Sequence, residues 1–223
     1  MDLSEHNKKV AISRWSKIIT KEKENINHNS VLKSALCGFL AGDGYIAIRE
    51  EKKNKHYEIG FFPDDPIMLD SYCLFLDKIY HKKPQIRKVN KMFRVRLTSK
   101  MIVEDLMKLA KFGHYEWSLP KSIFSTNKEI ISWLKAFFSA EAYVNPKWIR
   151  VQSVNKKSLK EVSALLDLLN IENKIYEYNP KQIKYSSVGI ISIHKKEARK
   201  KYLETIGFWH SKKEFMLRKA LDL

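Results

Sequence analysis

Leu36–Gly44 reads Leu-Cys-Gly-Phe-Leu-Ala-Gly-Asp-Gly, and Leu134–Ala142 reads Leu-Lys-Ala-Phe-Phe-Ser-Ala-Glu-Ala. Each is an apolar run with small residues four apart, Gly38 and Gly42 in the first and Ala136 and Ala140 in the second, and each ends in a carboxylate, Asp43 or Glu141. On a helix, residues four apart stack on one face. Each segment therefore presents a stripe almost free of side chains, on which another backbone can lie very close. If the two helices run side by side in the same sense, their C-terminal ends meet, and so do Asp43 and Glu141. The negative poles of both helix dipoles add to the carboxylate charge. So much converging negative potential calls for a hard divalent cation bound through oxygen, Mg²⁺ before others. One such segment alone reads better as an ordinary buried helix with small contact residues; the repetition is what favours a pair.

The stretches around the two motifs repeat as well. After Gly44 the pattern changes from helical to alternating, in Tyr45–Arg49 and His56–Phe61, with a charged hairpin turn over Glu50–Lys55. Pro63 and Pro66 stop the strand and open a helix at about Ile67–Tyr80. Strands at Gln85–Val89 and Met92–Thr98 and a helix near Met101–Lys111 follow. The second half is expected to show a strand at Lys147–Val154, a helix at Ser158–Leu169, strands near Lys174–Tyr178 and Tyr185–Ile193, and a helix at Lys195–Ile206. The acids lie 98 residues apart, so one α+β unit of roughly a hundred residues is used twice. The expected fold is α+β, with two pseudo-twofold-related αββαββα repeats at 31–115 and 133–210. Residues 116–132 join them, 1–30 form an amphipathic lead-in helix, and 211–223 form a C-terminal helix.

The chain has 42 Lys and Arg against 25 Asp and Glu in 223 residues, a net charge of +17, which points to a polyanionic partner. The basic residues are spread through the chain, as on a folded surface. No apolar run reaches the ~18 residues a membrane span needs, and the expectation is an intracellular protein, cytoplasmic or organellar, with no membrane partner. Two cysteines are too few for a disulfide framework, and no Cys/His cluster has zinc spacing. In Phe93–Thr98 the alternation turns Phe93, Val95 and Leu97 to a core and Arg94 and Arg96 outward. Arg150 and Gln152 face outward in the same way. Arg and Gln suit the donor and acceptor pattern of the major groove, so Arg94, Arg96, Arg150 and Gln152 are the leading DNA-contact candidates, with Arg49 and Arg87 behind them.

Both motif segments resemble the signature helix of the LAGLIDADG homing endonucleases, over roughly residues 30–210. The phrase Ile206–Glu214, I-G-F-W-H-S-K-K-E, is similar to the tail of archaeal-type members. The resemblance implies a monomer whose two sheets form a saddle on a long asymmetric duplex site, cutting both strands to leave short 3′ overhangs, and encoded by an intron. It implies metal at Asp43 and Glu141, with Gly42 and Ala140 beside them. Two or three Mg²⁺ ions are expected, with Mn²⁺ able to substitute and Ca²⁺ binding without cleavage. The family places a lysine near each acid, and Lys100 and Lys195 are the best-matching positions. Three departures stand out: Ala41 and Ser139 replace a usual Asp, Glu141 replaces Asp, and Ala142 replaces a final Gly, so the turn there must avoid positive φ. Alternatives are an RNA maturase acting on intron RNA and a DNA-binding protein without catalysis.

Overall fold

The computed structural model of the chain describes residues 26–51, 54–180 and 186–223. Helix α1 (Ser30–Ala41) starts where the Asn29 side chain accepts the Leu32 N–H, the capping role asparagine fills well. Strands β1 (Gly44–Glu51) and β2 (Asn54–Phe61) follow. Helix α2 (Pro66–Tyr80) begins at a proline, with Asp65 accepting from the N–H groups of Ile67 and Met68. Strands β3 (Gln85–Val89) and β4 (Met92–Thr98) and helix α3 (Lys100–Met107), capped by Ser99, complete the first repeat.

A 3₁₀ turn at Lys121–Ile123 leads to α4 (Asn127–Glu141), which opens with a capping box between Thr126 and Glu129. The second repeat continues with β5 (Tyr143–Asn145), β6 (Trp148–Ser153), α5 (Lys156–Leu168), β7 (Lys174–Tyr178), β8 (Val188–Ile193) and α6 (Lys196–Thr205). Helix α7 (Ser211–Ala220) closes the chain.

The strands form two antiparallel four-stranded sheets of matching order, β1-β2-β4-β3 and β5-β6-β8-β7. This is the doubled α+β architecture expected from the sequence. Each sheet turns one face to helices: Ile59, Phe61 and Val95 in the first, and Ile149, Val151, Ile191 and Ile193 in the second, are almost wholly buried. The opposite faces are open. Register places Tyr45, Arg49, Glu58, Arg94 and Arg96 on one, and Tyr143, Trp148, Arg150, Gln152 and Tyr176 on the other.

Several boundaries differ from the sequence reading. Residues 1–25 of the expected lead-in helix lie outside the described residues, as do 52–53 of the hairpin turn and 185 at the start of the last strand; residues 26–29 are not helical. Of the stretch read as a linker, 116–132, the last six residues are already helix, because the capping box starts α4 at Asn127. Strand β5 went unread: three residues are too few for alternation to register. Ala142 leaves α4 at φ −73°, in extended backbone any residue adopts, so losing the motif's last glycine creates no strain.

Candidate active site and nucleic-acid interface

Helices α1 and α4 lie side by side in the same sense, with matching positions 98 residues apart in contact. Their N-terminal halves are tied by polar groups: Ser30 donates to the Glu129 carboxylate at 2.7 Å, Ser34 to the Glu129 carbonyl at 2.6 Å, and Ser132 to the Val31 carbonyl at 3.0 Å. The hydroxyls of Thr126 and Ser30 hold the Glu129 carboxyl down to about 2. Further along, the helices touch backbone to backbone. A Cβ placed on Gly38 would stand 2.8 Å from the Ala136 Cβ, and closer still to the Trp133 carbonyl oxygen. One on Gly42 would stand 2.6 Å from the Ala140 Cβ and 3.3 Å from Glu141 Cγ. The small-residue stripes thus do what their spacing predicted.

The acids that follow share one electrostatic environment. Burial, and then the charge of Asp43, push the Glu141 carboxyl up to about 7. Burial also raises the Asp43 carboxyl, against the pull of Lys213 and His210. Among the described residues no three His, Cys, Asp or Glu side chains gather as a ready-made metal cage. The arrangement is a carboxylate pair at two converging helix ends.

Lys213, on α7, is the cation of this centre and was not singled out from the sequence. Its ammonium donates to the carbonyls of Ser139 at 2.6 Å and Ala140 at 2.7 Å, capping the end of α4. Burial lowers its pKa, while Asp43, Asp64, Glu141 and Asp65 raise it, Asp43 most among the acids. The Ala140 carbonyl, the only donor that alanine could offer a metal, is therefore engaged by an ammonium.

The segment before Lys213 fixes its place. Ser139, buried, accepts the Trp209 N–H at 2.7 Å. The Trp209 ring packs on Phe39 and Phe75, with centroids 5.4 and 5.3 Å away. His210 stands between Asp64 and Asp65, at 3.4 and 3.5 Å, and holds the Asp64 carboxyl below its usual range. The Ser211 N–H and hydroxyl both donate to Asp65. The tail of the second repeat is thus strapped across the first.

Lys100 and Lys195 are not brought to the acids. Lys100 stands 3.6 Å from Glu104, its neighbour one helical turn on, and Lys195 pairs with Glu172 at 2.9 Å; both are more than half exposed. Their position at strand ends carries them outward, where solvated charge is most stable.

The outward arginines reach the open faces in different states. Arg49 and Arg87 are exposed. Arg96 is paired with Glu58, which also accepts from the Tyr45 hydroxyl at 2.5 Å; this pairing holds the Glu58 carboxyl low. Arg94 lies over the Phe62 ring at 5.9 Å. Arg150 stacks on Trp148 at 4.0 Å and donates from Nε to the Ser192 hydroxyl at 3.1 Å. Gln152 is exposed and lines a cavity shared with Glu141.

Comparison with known proteins agrees with this geometry. The family model described as the LAGLIDADG-like domain matches residues 128–207. Residues 128–207 carry a LAGLIDADG-like domain. The fold is similar to that of I-DmoI, solved in complex with DNA and Mn, at TM-score 0.64 and 21% identity, covering 79% of this chain and 96% of that one. I-WcaI bound to its DNA recognition sequence matches at TM-score 0.54 and 15% identity, over 90% of this chain and 91% of that one. Full-length DUF199/WhiA from Thermatoga maritima matches at TM-score 0.55 and 17% identity, over 92% and 65%. At these identities the likeness establishes the fold. No curated protein sequence matches the chain.

Proposed function

We propose that this chain is a site-specific DNA endonuclease that hydrolyses both strands of a long duplex target with a divalent metal, working as a monomer. The observation that carries the reading is the meeting of Asp43 and Glu141 at the ends of two helices from different repeats, close enough for one charge to raise the other's pKa. An active centre made from both halves of one chain suits an asymmetric target. The structural neighbours I-DmoI and I-WcaI were solved with DNA, and I-DmoI with Mn or Ca.

The residues present fit a hard cation. Two half-buried carboxylates that repel each other are relieved by divalent charge, and Mg²⁺ typically takes one or two carboxylates, completing its shell with water and substrate phosphate. Asp43 and Glu141 would hold it, with the Gly42 carbonyl beside them. Bound there, such an ion supplies Lewis-acid stabilisation of the phosphate and lowers the pKa of a bound water. The chain's own groups do the rest. Lys213 places positive charge where the phosphodiester becomes more negative. The open sheet faces supply Arg49, Arg87, Arg94, Arg150 and Gln152 for base edges, Arg96 once released from Glu58, and lysines for phosphates.

The test is incubation with a randomised plasmid library in Mg²⁺ and, separately, Ca²⁺. Recovery of one long sequence cut only in Mg²⁺, with cutting lost in Asp43→Asn and Glu141→Gln while binding in Ca²⁺ persists, is the expected result. Binding of structured RNA with no duplex ever cut would overturn it.

A further inference from the structure

The open faces of the two sheets carry different chemistry. The first presents Arg49, Arg87, Arg94 and Arg96. On the second, Arg150 is the one arginine among the described residues, and it is stacked on Trp148 and bonded to Ser192. Register sets Gln152, Ile190 and Tyr176 in one row across β6, β8 and β7, and pairs Val188 with Tyr178 in the next. Tyr176 is 39% and Tyr178 55% exposed, and Ile190 and Val188 are half-buried. Side chains directly opposite on an antiparallel pair have Cβ atoms about 5 Å apart, so these four form one apolar patch. Gln152 also lines the cavity beside Glu141, so the row begins next to the paired helix ends. Alternation needs apolar residues only on the inward face, where Ile191 and Ile193 are wholly buried. An apolar patch on the outward face of a chain of charge +17 matches a partner that is anionic overall and apolar in places.

We propose that the two sheets select different base classes: the second repeat reads A·T pairs, with Gln152 on adenine and the Ile190–Tyr176 patch on thymine methyls, while the first reads guanines through its arginines. This deepens the endonuclease reading and rests on its duplex-binding part. The major groove displays thymine's C5-methyl as its apolar group, and the paired adenine displays N6 and N7, which a glutamine amide grips with two hydrogen bonds. Gln152 and Ile190 stand side by side in the order that one A·T pair requires. Guanine displays O6 and N7, two acceptors that match the fork of an arginine. Arg49 and Arg87, both exposed, lie on the outer strands β1 and β3 and have that fork to offer. Tyrosine and isoleucine have no donor fork for guanine and would desolvate its acceptors without replacing their bonds. The second face therefore rejects G·C pairs as well as accepting A·T, and the target has a thymine-rich half and a guanine-containing half.

The experiment selects duplexes from a random library by binding to the full chain in Ca²⁺, then measures affinity with base analogues placed in one half of the selected site at a time. Deoxyuridine in place of thymidine removes only the methyl. In one half each such change should weaken binding by about fourfold, the scale of exposing one buried CH₂ group, and in the other by less than twofold. The penalty should vanish in Ile190→Ala and in Tyr176→Ala, and persist in Tyr176→Phe, which keeps the ring. Tyr176 is on an edge strand and exposed, so its variants serve even if Ile190→Ala does not fold. In the opposite half, 7-deazaguanine, which lacks the N7 acceptor, should weaken binding about tenfold, and Arg49→Ala or Arg87→Ala should remove that penalty. Deoxyuridine penalties shared equally by both halves, or unchanged in the Ile190 and Tyr176 variants, would overturn the proposal and leave the endonuclease standing. Selected duplexes that show both patterns yet are never cut in Mg²⁺ would support the proposal and overturn the endonuclease. A library from which no duplex is retained would overturn both.

Discussion

Replacing Gly38 by alanine puts the helix pair to a test with a defined sign. In an exposed helix interior, Gly→Ala stabilises by about 0.4–1 kcal/mol, because the unfolded chain loses freedom. At Gly38 the new methyl would meet the Ala136 Cβ at 2.8 Å and the Trp133 carbonyl oxygen closer still, both on a fully buried surface. Neither neighbour is a flexible side-chain end, so the helices must part by several tenths of an ångström. Overpacking of that kind costs about 1–3 kcal/mol. The net expectation is a loss of about 1–2 kcal/mol, or a Tm lower by several degrees for a chain of this size. Urea unfolding followed by tryptophan fluorescence measures it, since Trp133 and Trp117 sit at this contact. Adding Ala136→Gly should recover only part of the loss, because the Trp133 carbonyl remains in the way. A Gly38→Ala protein as stable as the parent, or more so, would refute the close contact and with it the convergence of the two acids.

Other consequences are open to measurement. The Glu141 carboxyl titrates at about 7 in the folded chain against an ordinary 4.5, so its raised pKa favours the folded state most below pH 4.5, and that contribution is lost as pH rises through 7. In EDTA, stability should fall between pH 5 and 8 by up to about 3 kcal/mol; Glu141→Gln should flatten the slope, and an unchanged slope would refute the assignment. Mg²⁺ at pH 8 should raise the Tm of the parent and not of the Asp43→Asn, Glu141→Gln double variant. Lys33, buried, pairs with Asp105 at 2.6 Å, and Asp105 also accepts from Tyr80 at 2.7 Å. Lys33→Met alone should cost about 3 kcal/mol by stranding that carboxylate, and Lys33→Met with Asp105→Leu markedly less; equal losses in urea melts would contradict the pairing. Duplex affinity should drop about a thousandfold between 50 and 200 mM salt if six or so phosphates are neutralised, and a shallow slope would argue against a basic saddle.

The doubled architecture was legible because its signals are local. Alternation in Phe93–Thr98, prolines before α2 and small residues four apart each act within a few residues, and the 98-residue echo needs only the sequence to be seen. From the same local logic came Asp43 and Glu141, since parallel helices with bare stripes must bring their following residues together. The placement of Lys213 was a different matter. Its role depends on Trp209 lodging on Phe39 and Phe75 and on His210 between Asp64 and Asp65, contacts some 130–170 residues apart in sequence. No periodicity encodes such pairings, because they arise only when the tail of one repeat folds over the other. The same limit applies to Lys100 and Lys195, whose position at strand ends says where the backbone goes and nothing about which carboxylate lies within reach. Charge-pairing on the open face, as between Arg96 and Glu58, was equally hidden: alternation names the face a side chain occupies, and only packing names its neighbour.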